Sequence, residues 1–271
     1  MSSRVALVTG ASGGLGSQMV GALLKAGYRV VLSGTGEQAL RAVAGAEPAS
    51  RWRLVTADLS EPEAAARLAR EATAVFGRVD ILINNAGIST SAIDSGAPDK
   101  PVRFWSITAA MTSRFYQINT LSPLRLTALL APAMIERGWG RIVNVTTSLR
   151  TMLLYAGYGG SKAALEAETA CMAADLANSG VTANALLPGG PTATRMTANF
   201  PIPAADMLQA DIVVAPILYL ASSGSDGVTG RRFIAALWDP ALPPDQAAGI
   251  ASAAIAWSSL ATMPVRPRSR S

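Results

Sequence analysis

The sequence predicts an α/β fold in which a doubly wound parallel β-sheet carries helices on both faces. Short runs rich in Val, Ile and Leu alternate with helical stretches along most of the chain, and a glycine-rich segment joins the first run to the first helix. With 271 residues, half of them hydrophobic and 15% charged, the chain can bury a substantial core.

The first half contains four predicted strands, at residues 4–9, 29–32, 53–56 and 80–83. Helices are predicted between them at 16–26, 37–44 and 61–76. Gly27 is expected to end the first helix, and Ser60 to cap the third, with Pro62 near its start.

The alternation continues in the second half. It predicts helices at 115–137, 158–178 and 210–222 and strands at 141–145, 182–186 and 232–236. No change in composition precedes Pro240, so residues 1–240 are expected to form one domain. Residues 241–271 are expected to be an extension with one apolar helix, at 245–257, and a basic tail.

Composition excludes several classes of chemistry. The chain has no histidine and a single cysteine, Cys171, which rules out Ser-His-Asp catalysis, an internal disulfide and histidine metal sites. No metal site is predicted. Any proton transfer must therefore use Tyr, Lys, Asp or Glu.

The net charge of +5 does not predict nucleic-acid binding, because the basic residues are scattered except at 266–271, where a solvated tail is expected. No apolar run approaches the roughly 20 residues that span a bilayer, and the N-terminal residues lack a signal-peptide pattern. We expect a cytoplasmic protein with no nucleic-acid or membrane partner.

The glycine-rich segment, Thr9-Gly10-Ala11-Ser12-Gly13-Gly14-Leu15-Gly16, predicts dinucleotide binding. Glycines allow backbone amides to approach a pyrophosphate, and a helix N-terminus adds positive potential. Asp58, after the third strand, is a candidate acceptor from an adenine amino group, or a carboxylate that interacts with a helix dipole. The turn 84–87 ends the fourth strand at the edge where such sheets bind ligands.

Tyr158 and Lys162 lie four residues apart, so on a helix their side chains share one face. A phenol normally loses its proton near pH 10, and a neighbouring ammonium lowers that pKa. Taken alone, the pair fits either an acid/base centre or a solvated helix face, and the other motifs of the chain favour the acid/base centre.

These features, in this order and at these intervals, resemble the short-chain dehydrogenase/reductase family over about residues 4–237. The resemblance implies one Rossmann-type domain that binds NAD or NADP and transfers hydride between nicotinamide and a carbonyl or secondary-alcohol carbon. A non-catalytic dinucleotide-binding sensor or regulator on the same fold is the alternative.

The resemblance also implies the roles of individual residues. Tyr158 matches the catalytic acid/base, Lys162 the residue that lowers the tyrosine pKa and holds the nicotinamide ribose, and Asn119 the support of a proton relay. Pro188 and Gly189 match the turn beside the nicotinamide, with Thr192 or Thr194 at its carboxamide. The remaining implied cofactor contacts are Gly10, Ser12, Gly14, Leu15 and Gly16 at the phosphates and Asp58, Leu59, Asn85, Ala86 and Gly87 at the adenosine half.

Two positions depart from the family pattern. The serine that usually polarises the substrate oxygen is replaced by Thr147, with Ser148 next, so either hydroxyl is a candidate. The second strand is followed by neither the aspartate typical of NAD binding nor the arginine typical of NADP binding; small hydroxyls, including that of Thr35, favour NADP weakly over NAD.

The substrate side is expected to lie between the irregular connection 88–114 and the segment 195–207. Apolar side chains near it, Met152, Leu153, Leu154, Tyr155 and Met196, favour an apolar carbonyl or alcohol substrate, or simply pack the loops. A small-residue face on the 158–178 helix (Ala163, Ala167, Ala170 and Ala174), with the resemblance, implies a homodimer or homotetramer.

Overall fold

A computed structural model describes residues 4–92 and 102–258. Its centre is an eight-stranded sheet in the order β3-β2-β1-β4-β5-β6-β7-β8. Neighbours are parallel except β8, which is antiparallel to β7. The strands are β1 (Val5–Thr9), β2 (Arg29–Gly34), β3 (Trp52–Thr56), β4 (Ile81–Asn84), β5 (Gly140–Val145), β6 (Val181–Leu187), β7 (Arg231–Ile234) and β8 (Ser252–Ala254).

Helices cover both faces of the sheet. They are α1 (Gly14–Lys25), α2 (Glu37–Ala44), α3 (Ala64–Phe76), α4 (Ala109–Tyr116), α5 (Ser122–Glu136), α6 (Leu149–Leu154), α7 (Tyr158–Asp175), α8 (Val214–Ala221) and α9 (Pro244–Ala251). One core cluster joins the sheet to α1, α2 and α8, and a second joins it to α3, α5 and α7. The predicted doubly wound α/β fold is confirmed, with one antiparallel edge strand that was not foreseen.

The strand order reverses between β1 and β4, so the connections leave these strands in opposite directions. In open α/β sheets the crevice at such a point, outside the carboxyl ends of the strands, is where ligands bind. Here β1 runs into the glycine turn and β4 into Asn85.

The start of α3 differs from the prediction. Ser60 does not cap it; α3 begins at Ala64, after Glu63, whose side chain makes no capping bond. The Ser60 amide and hydroxyl instead donate to Asp58 Oδ1, at 2.9 and 2.7 Å. Asp58 therefore forms a local turn that takes up Ser60 before the helix begins.

Three other segments differ. Between β5 and α7, where no helix was predicted, the chain forms α6. The predicted 115–137 helix begins earlier, as α4, and includes a π turn at Gln117–Leu121 before α5. The 245–257 helix ends at Ala251, after which β8 pairs with β7. Asp94, Pro98, Lys100 and Pro101 of the irregular connection, and the tail at 266–271, lie outside the described residues.

Taken as one helix, Ala109–Glu136 is long and apolar enough to cross a membrane by length and composition alone, and half of its most apolar window is buried inside the protein. Leu126, Leu130 and Met134 pack in the same core cluster as α3. A core helix satisfies the same criteria, and this packing is that of a core helix.

Candidate active site

The glycine turn brings backbone atoms into close contact. Gly10 has φ = +61°, and its carbonyl accepts from the Gly13 amide at 3.0 Å. A Cβ on Gly16 would lie 2.2 Å from that same carbonyl oxygen, so only glycine fits there. No side chain caps α1 at Gly13, which leaves the helix N-terminus to a phosphate.

Asn85 ties the ends of β1 and β4 together at the point where the strand order reverses. Its Nδ2 donates to the carbonyl oxygens of Thr9 and Gly10, at 2.9 and 3.0 Å. Thr9 Oγ1 in turn accepts from the amides of Asn85 and Ala86, at 3.1 and 3.0 Å. The turn after β4 thus holds the glycine turn in place.

The third strand brings Asp58 and Leu59 to the same edge. The two hydrogen bonds from Ser60 hold the pKa of the Asp58 carboxyl below its usual value, so it is ionised at neutral pH. The side chain of Leu59 is buried, and its carbonyl accepts from Ser122 Oγ at 3.0 Å.

The end of β2 contains small side chains. Thr35 is exposed, and a Cβ on Gly34 would lie 3.6 Å from Ser12 Oγ, so Ser12 and Gly34 are neighbours. Arg195 reaches the same place from the segment after β6: its Nη2 donates to the Ser12 carbonyl at 3.4 Å. Arg195 was not among the predicted cofactor contacts.

The turn after β6 lies opposite the glycine turn. Gly189 has φ = +108°, and the Pro188 carbonyl accepts from the Ala236 amide at 2.9 Å. Thr192 Oγ1 is used within the turn, donating to the Gly190 carbonyl at 3.1 Å. The methyl group of Thr194 packs on Gly14, where a Cβ would lie 2.6 Å from it. Of the two candidate threonines, Thr194 is the one that touches the glycine turn.

Tyr158 is the first residue of α7, directly after Gly157, whose φ of +76° suits glycine. Its ring packs edge-on against Phe115, with the centroids 6.4 Å apart. Burial raises the pKa of Tyr158, and a hydrogen bond with the Thr147 side chain partly opposes that rise. The expected lowering of this pKa by Lys162 is not seen: the shift comes from burial of the phenol and from the Thr147 side chain.

Lys162 is 4% exposed, and its Nζ donates to the Val145 carbonyl at 2.8 Å. Burial lowers its pKa to about 8. The ammonium form therefore still predominates at neutral pH, one helical turn from Tyr158.

Asn119 lies in the π turn and is fully buried. Its Oδ1 accepts from the Ile88 amide at 2.9 Å, and its Nδ2 donates to the Ile88 carbonyl and Ser161 Oγ, both at 3.0 Å. A Cβ on Gly87 would lie 3.2 Å from both Asn119 Oδ1 and Lys162 Nζ. The absence of a side chain on Gly87 therefore allows the turn after β4 to pack closely against these two side chains. A π turn inside an α-helix is often found at a functional site.

Thr147 and Ser148 have different partners. Ser148 is the N-cap of α6, accepting from the Thr151 amide at 3.1 Å, and its Oγ lies 2.8 Å from Thr151 Oγ1. The side chain of Thr147, in contrast, lies close enough to Tyr158 to lower the pKa of the phenol.

Two residues that the sequence analysis missed lie behind this centre. Glu166 is fully buried, and Arg232 Nε donates to its Oε1 at 2.8 Å. Arg232 Nη2 also donates to the Thr147 carbonyl, at 3.0 Å. Glu166 could have been found from its spacing of four residues after Lys162. Arg232 could not, since its place depends on β7 lying beside β6.

The residues fit a dinucleotide. The glycine turn excludes side chains where a pyrophosphate would approach α1, and the acid/base residues meet at the same sheet edge. When bound, the nicotinamide supplies or accepts the hydride.

The apolar residues near the acid/base centre differ in exposure: Met152 is buried, Tyr155 is half-buried, and Leu153 and Leu154 of α6 are exposed. Met196, after β6, is 36% exposed. Within residues 4–92 and 102–258, no three acidic or cysteine side chains cluster as metal ligands would.

Known proteins share this fold and sequence pattern. The family model described as short chain dehydrogenase matches residues 4–203. An acetoacetyl-CoA reductase of Allochromatium vinosum is 32% identical over 85% of this chain and 96% of that protein. A D-beta-hydroxybutyrate dehydrogenase of Cupriavidus necator is 33% identical over 70% of this chain and 71% of its own.

A solved structure of a 3-oxoacyl (acyl-carrier-protein) reductase from Agrobacterium tumefaciens, with NADP bound, superposes with a TM-score of 0.74. It is 27% identical and is matched over 85% of this chain and 92% of its own. The reductases and dehydrogenases among the relatives do not favour a non-catalytic sensor. The chain is therefore an NAD(P)-dependent oxidoreductase and belongs to the short-chain dehydrogenase/reductase family.

Proposed function

We propose that the chain interconverts a ketone and a secondary alcohol with Tyr158 as the acid/base and Thr147 as the group that polarises the substrate oxygen. The observation that carries the proposal is the proximity of the Thr147 side chain, directly after β5, to the Tyr158 phenol, whose pKa it lowers. It places two hydroxyls together at the carboxyl edge of the sheet, where one substrate oxygen can meet both.

Each residue then has a defined task. In the reducing direction Tyr158 Oη gives its proton to the substrate oxygen as hydride reaches the carbon, and it takes the proton back in the oxidising direction. The Lys162 ammonium stabilises the phenolate that remains. The amide of Asn119, which is held by hydrogen bonds with Ile88 and Ser161, provides a polar group beside Lys162.

The cofactor contacts proposed from the family pattern are Gly10, Ser12, Gly14, Leu15, Gly16, Thr35, Asp58, Leu59, Asn85, Ala86, Gly87, Tyr158, Lys162, Pro188, Gly189 and Thr192. To these we add Thr194, because its methyl group packs on Gly14.

NADP is the proposed preference over NAD. No carboxylate follows β2 in Ser33-Gly34-Thr35, so nothing there repels a 2′-phosphate. The Arg195 guanidinium at the Ser12 carbonyl adds positive charge beside the glycine turn. The structural relative from Agrobacterium tumefaciens has NADP bound.

An apolar substrate is proposed because α6 presents Leu153, 78% exposed, and Leu154 close in sequence to Tyr158. The relatives named for acetoacetyl-CoA, hydroxybutyrate and 3-oxoacyl groups make 3-oxoacyl thioesters sensible members of a substrate panel.

A homodimer or homotetramer in the cytoplasm is proposed as the working form. Ala167 and Ala174 of α7 are exposed, as are Leu121 in the π turn and Leu129 on α5. Light scattering will show a single multiple of the chain mass if these faces are covered by a second copy; a monomer at micromolar concentration would contradict this.

The test begins with separate fluorescence titrations of NADPH and NADH, followed by a screen of ketones, 3-oxoacyl thioesters and secondary alcohols with the cofactor that binds more tightly. Tyr158→Phe should lower kcat by about 10³-fold while leaving the cofactor Kd within about twofold. Tyr28→Phe is the matched control, because its hydroxyl bonds the Ala221 carbonyl in another layer of the fold. Unchanged turnover in Tyr158→Phe would refute the acid/base assignment.

A further inference from the structure

The chain segment that ends β5 is bonded at three consecutive residues. The Val145 carbonyl accepts from Lys162, Thr146 Oγ1 donates to Glu166 Oε2 at 3.3 Å, and the Thr147 carbonyl accepts from Arg232. The last backbone bond to β6 in this segment runs from the Thr146 amide to the Leu186 carbonyl. Thr147 thus lies between the end of the sheet and the N-cap of α6, and Arg232 bonds its carbonyl there.

Glu166 owes its place to the same helix face as the acid/base pair. It follows Lys162 by four residues and Tyr158 by eight, so all three side chains point toward the end of β5. A carboxylate with no exposed surface is costly unless it is paired and hydrogen-bonded. Arg232 meets that need with both Nε and Nη2.

The guanidinium does more than neutralise Glu166. Its planar fork spans two acceptors on different elements: the Glu166 carboxylate on α7 and the Thr147 carbonyl after β5. Because Glu166 also accepts from Thr146, the pair binds two successive residues of the segment. Rotation of the Thr147 peptide would break the bond to Arg232.

We propose that the Glu166–Arg232 ion pair positions Thr147, so that its hydroxyl stays directed at Tyr158 during turnover. The inference rests on the proposed role of Thr147. Both charged residues are positioning residues, since their bonds reach the Thr146 side chain and the Thr147 backbone rather than the tyrosine. A pair that only joined α7 to β7 would stabilise the fold without acting through Thr147.

Non-additivity separates these two roles. Arg232→Met should lower kcat about 10-fold or more, because small displacements of a catalytic group are costly, and should leave the cofactor Kd within about twofold. In a Thr147→Val background the same change should lower kcat less than about twofold, since the hydroxyl that it positions is gone. Arg232→Lys keeps the charge but not the fork, so its kcat should lie between those of wild type and Arg232→Met.

Two further variants control for nonspecific effects of losing an arginine and for misfolding. Arg231→Met is the matched control, because the guanidinium of Arg231, the residue before Arg232, bonds Ser252 on β8, away from the site. The kcat of Arg231→Met should equal that of wild type. If Arg232→Met fails to fold with Glu166 unpaired, the double change Glu166→Met/Arg232→Met removes both charges and is made with and without Thr147→Val. Urea unfolding confirms that each variant is folded under the assay conditions.

The outcomes are distinct. A fall in kcat that is equally large in the wild-type and Thr147→Val backgrounds, or no fall in either, overturns the positioning role while Thr147 keeps its own. If Thr147→Val alone leaves kcat unchanged, the proposed role of Thr147 is wrong, and this inference is refuted with it.

Discussion

The glycine turn and the acid/base centre, at the two ends of the active site, depend on different kinds of contact. At the glycine turn backbone atoms approach each other closely, and the absence of a Cβ on Gly16 leaves room for the Gly10 carbonyl. At the acid/base end polar side chains each have a specific partner: half-buried Tyr158 has Thr147, buried Lys162 has the Val145 carbonyl, and buried Asn119 has Ser161.

The difference indicates what each end can tolerate. The glycine turn provides room for the cofactor through its missing side chains. A larger residue there should therefore weaken cofactor binding and leave kcat unchanged. The acid/base end holds a buried charge and a buried amide with their hydrogen bonds, which costs stability in return for reactivity. Variants at the two ends should therefore separate binding, turnover and stability.

The largest effect is expected for Lys162→Met. Turnover should fall by about 10³-fold because the phenolate loses its cation. At pH 7 the variant should nevertheless be more stable than wild type by about 2 kcal/mol, since a pKa lowered from 10.5 to about 8 corresponds to a burial cost of about 3 kcal/mol, less the lost bond to Val145.

That gain should depend on pH. Below pH 8 Lys162 is charged in both the folded and unfolded chains, and the cost is fully present. Between pH 8 and 10.5 the unfolded chain binds more protons, so wild type gains stability as pH rises and the difference disappears. Urea unfolding at pH 7 and pH 10 measures this. Lys25→Met, at an exposed lysine, should change stability by less than about 0.5 kcal/mol at both; a gain for Lys162→Met that stays constant with pH would contradict the assignment.

Gly16→Ala tests the other end of the site. Its Cβ would meet the Gly10 carbonyl at 2.2 Å, and we expect a loss of about 1–3 kcal/mol in stability together with a cofactor Kd raised about 10-fold or more. At saturating cofactor kcat should stay within about threefold of wild type. Gly21→Ala on the same helix meets no atom within 4 Å and should be neutral or stabilising by up to about 1 kcal/mol. Equal effects of the two changes would show that the close contact at Gly16 is unimportant.

The smallest expected effect is that of Ser148→Ala. Loss of the α6 N-cap should cost about 1 kcal/mol of unfolding free energy, with a much smaller fall in kcat than Thr147→Val produces. Urea unfolding midpoints and kcat values of the two variants show which hydroxyl polarises the substrate oxygen. If Ser148→Ala lowers kcat as much as Thr147→Val does, Ser148 is the polarising hydroxyl.

Local patterns were enough to predict the fold class and the strand–helix order. Apolar runs and glycines report on their own segments, which is why β1, the glycine turn and the start of α7 were located closely. Ser60 shows the limit of this approach: the sequence pattern fits a cap, but the nearby Asp58 carboxylate competes for the same hydroxyl and amide.

Long-range contacts were not predictable in this way. The choice between Thr147 and Ser148 depends on where β5 stops and α6 starts, and α6 itself was not foreseen. Arg195 and Arg232 reach the site from segments distant in sequence, and only the strand order brings them there.

The π turn at Gln117–Leu121 sets which side chains of α4 and α5 face the catalytic centre and which face the core. A π turn contains one residue more than an α-helical turn, so α4 is rotated by about 100° about the axis relative to a continuous α-helix leading into α5. That phase shift lets Phe115 face Tyr158 while Leu126 faces the core with α3. A one-residue deletion here would restore regular helix geometry yet turn one of those two faces away, so the irregular turn is the phase adjustment that lets one helix serve both the core and the catalytic centre.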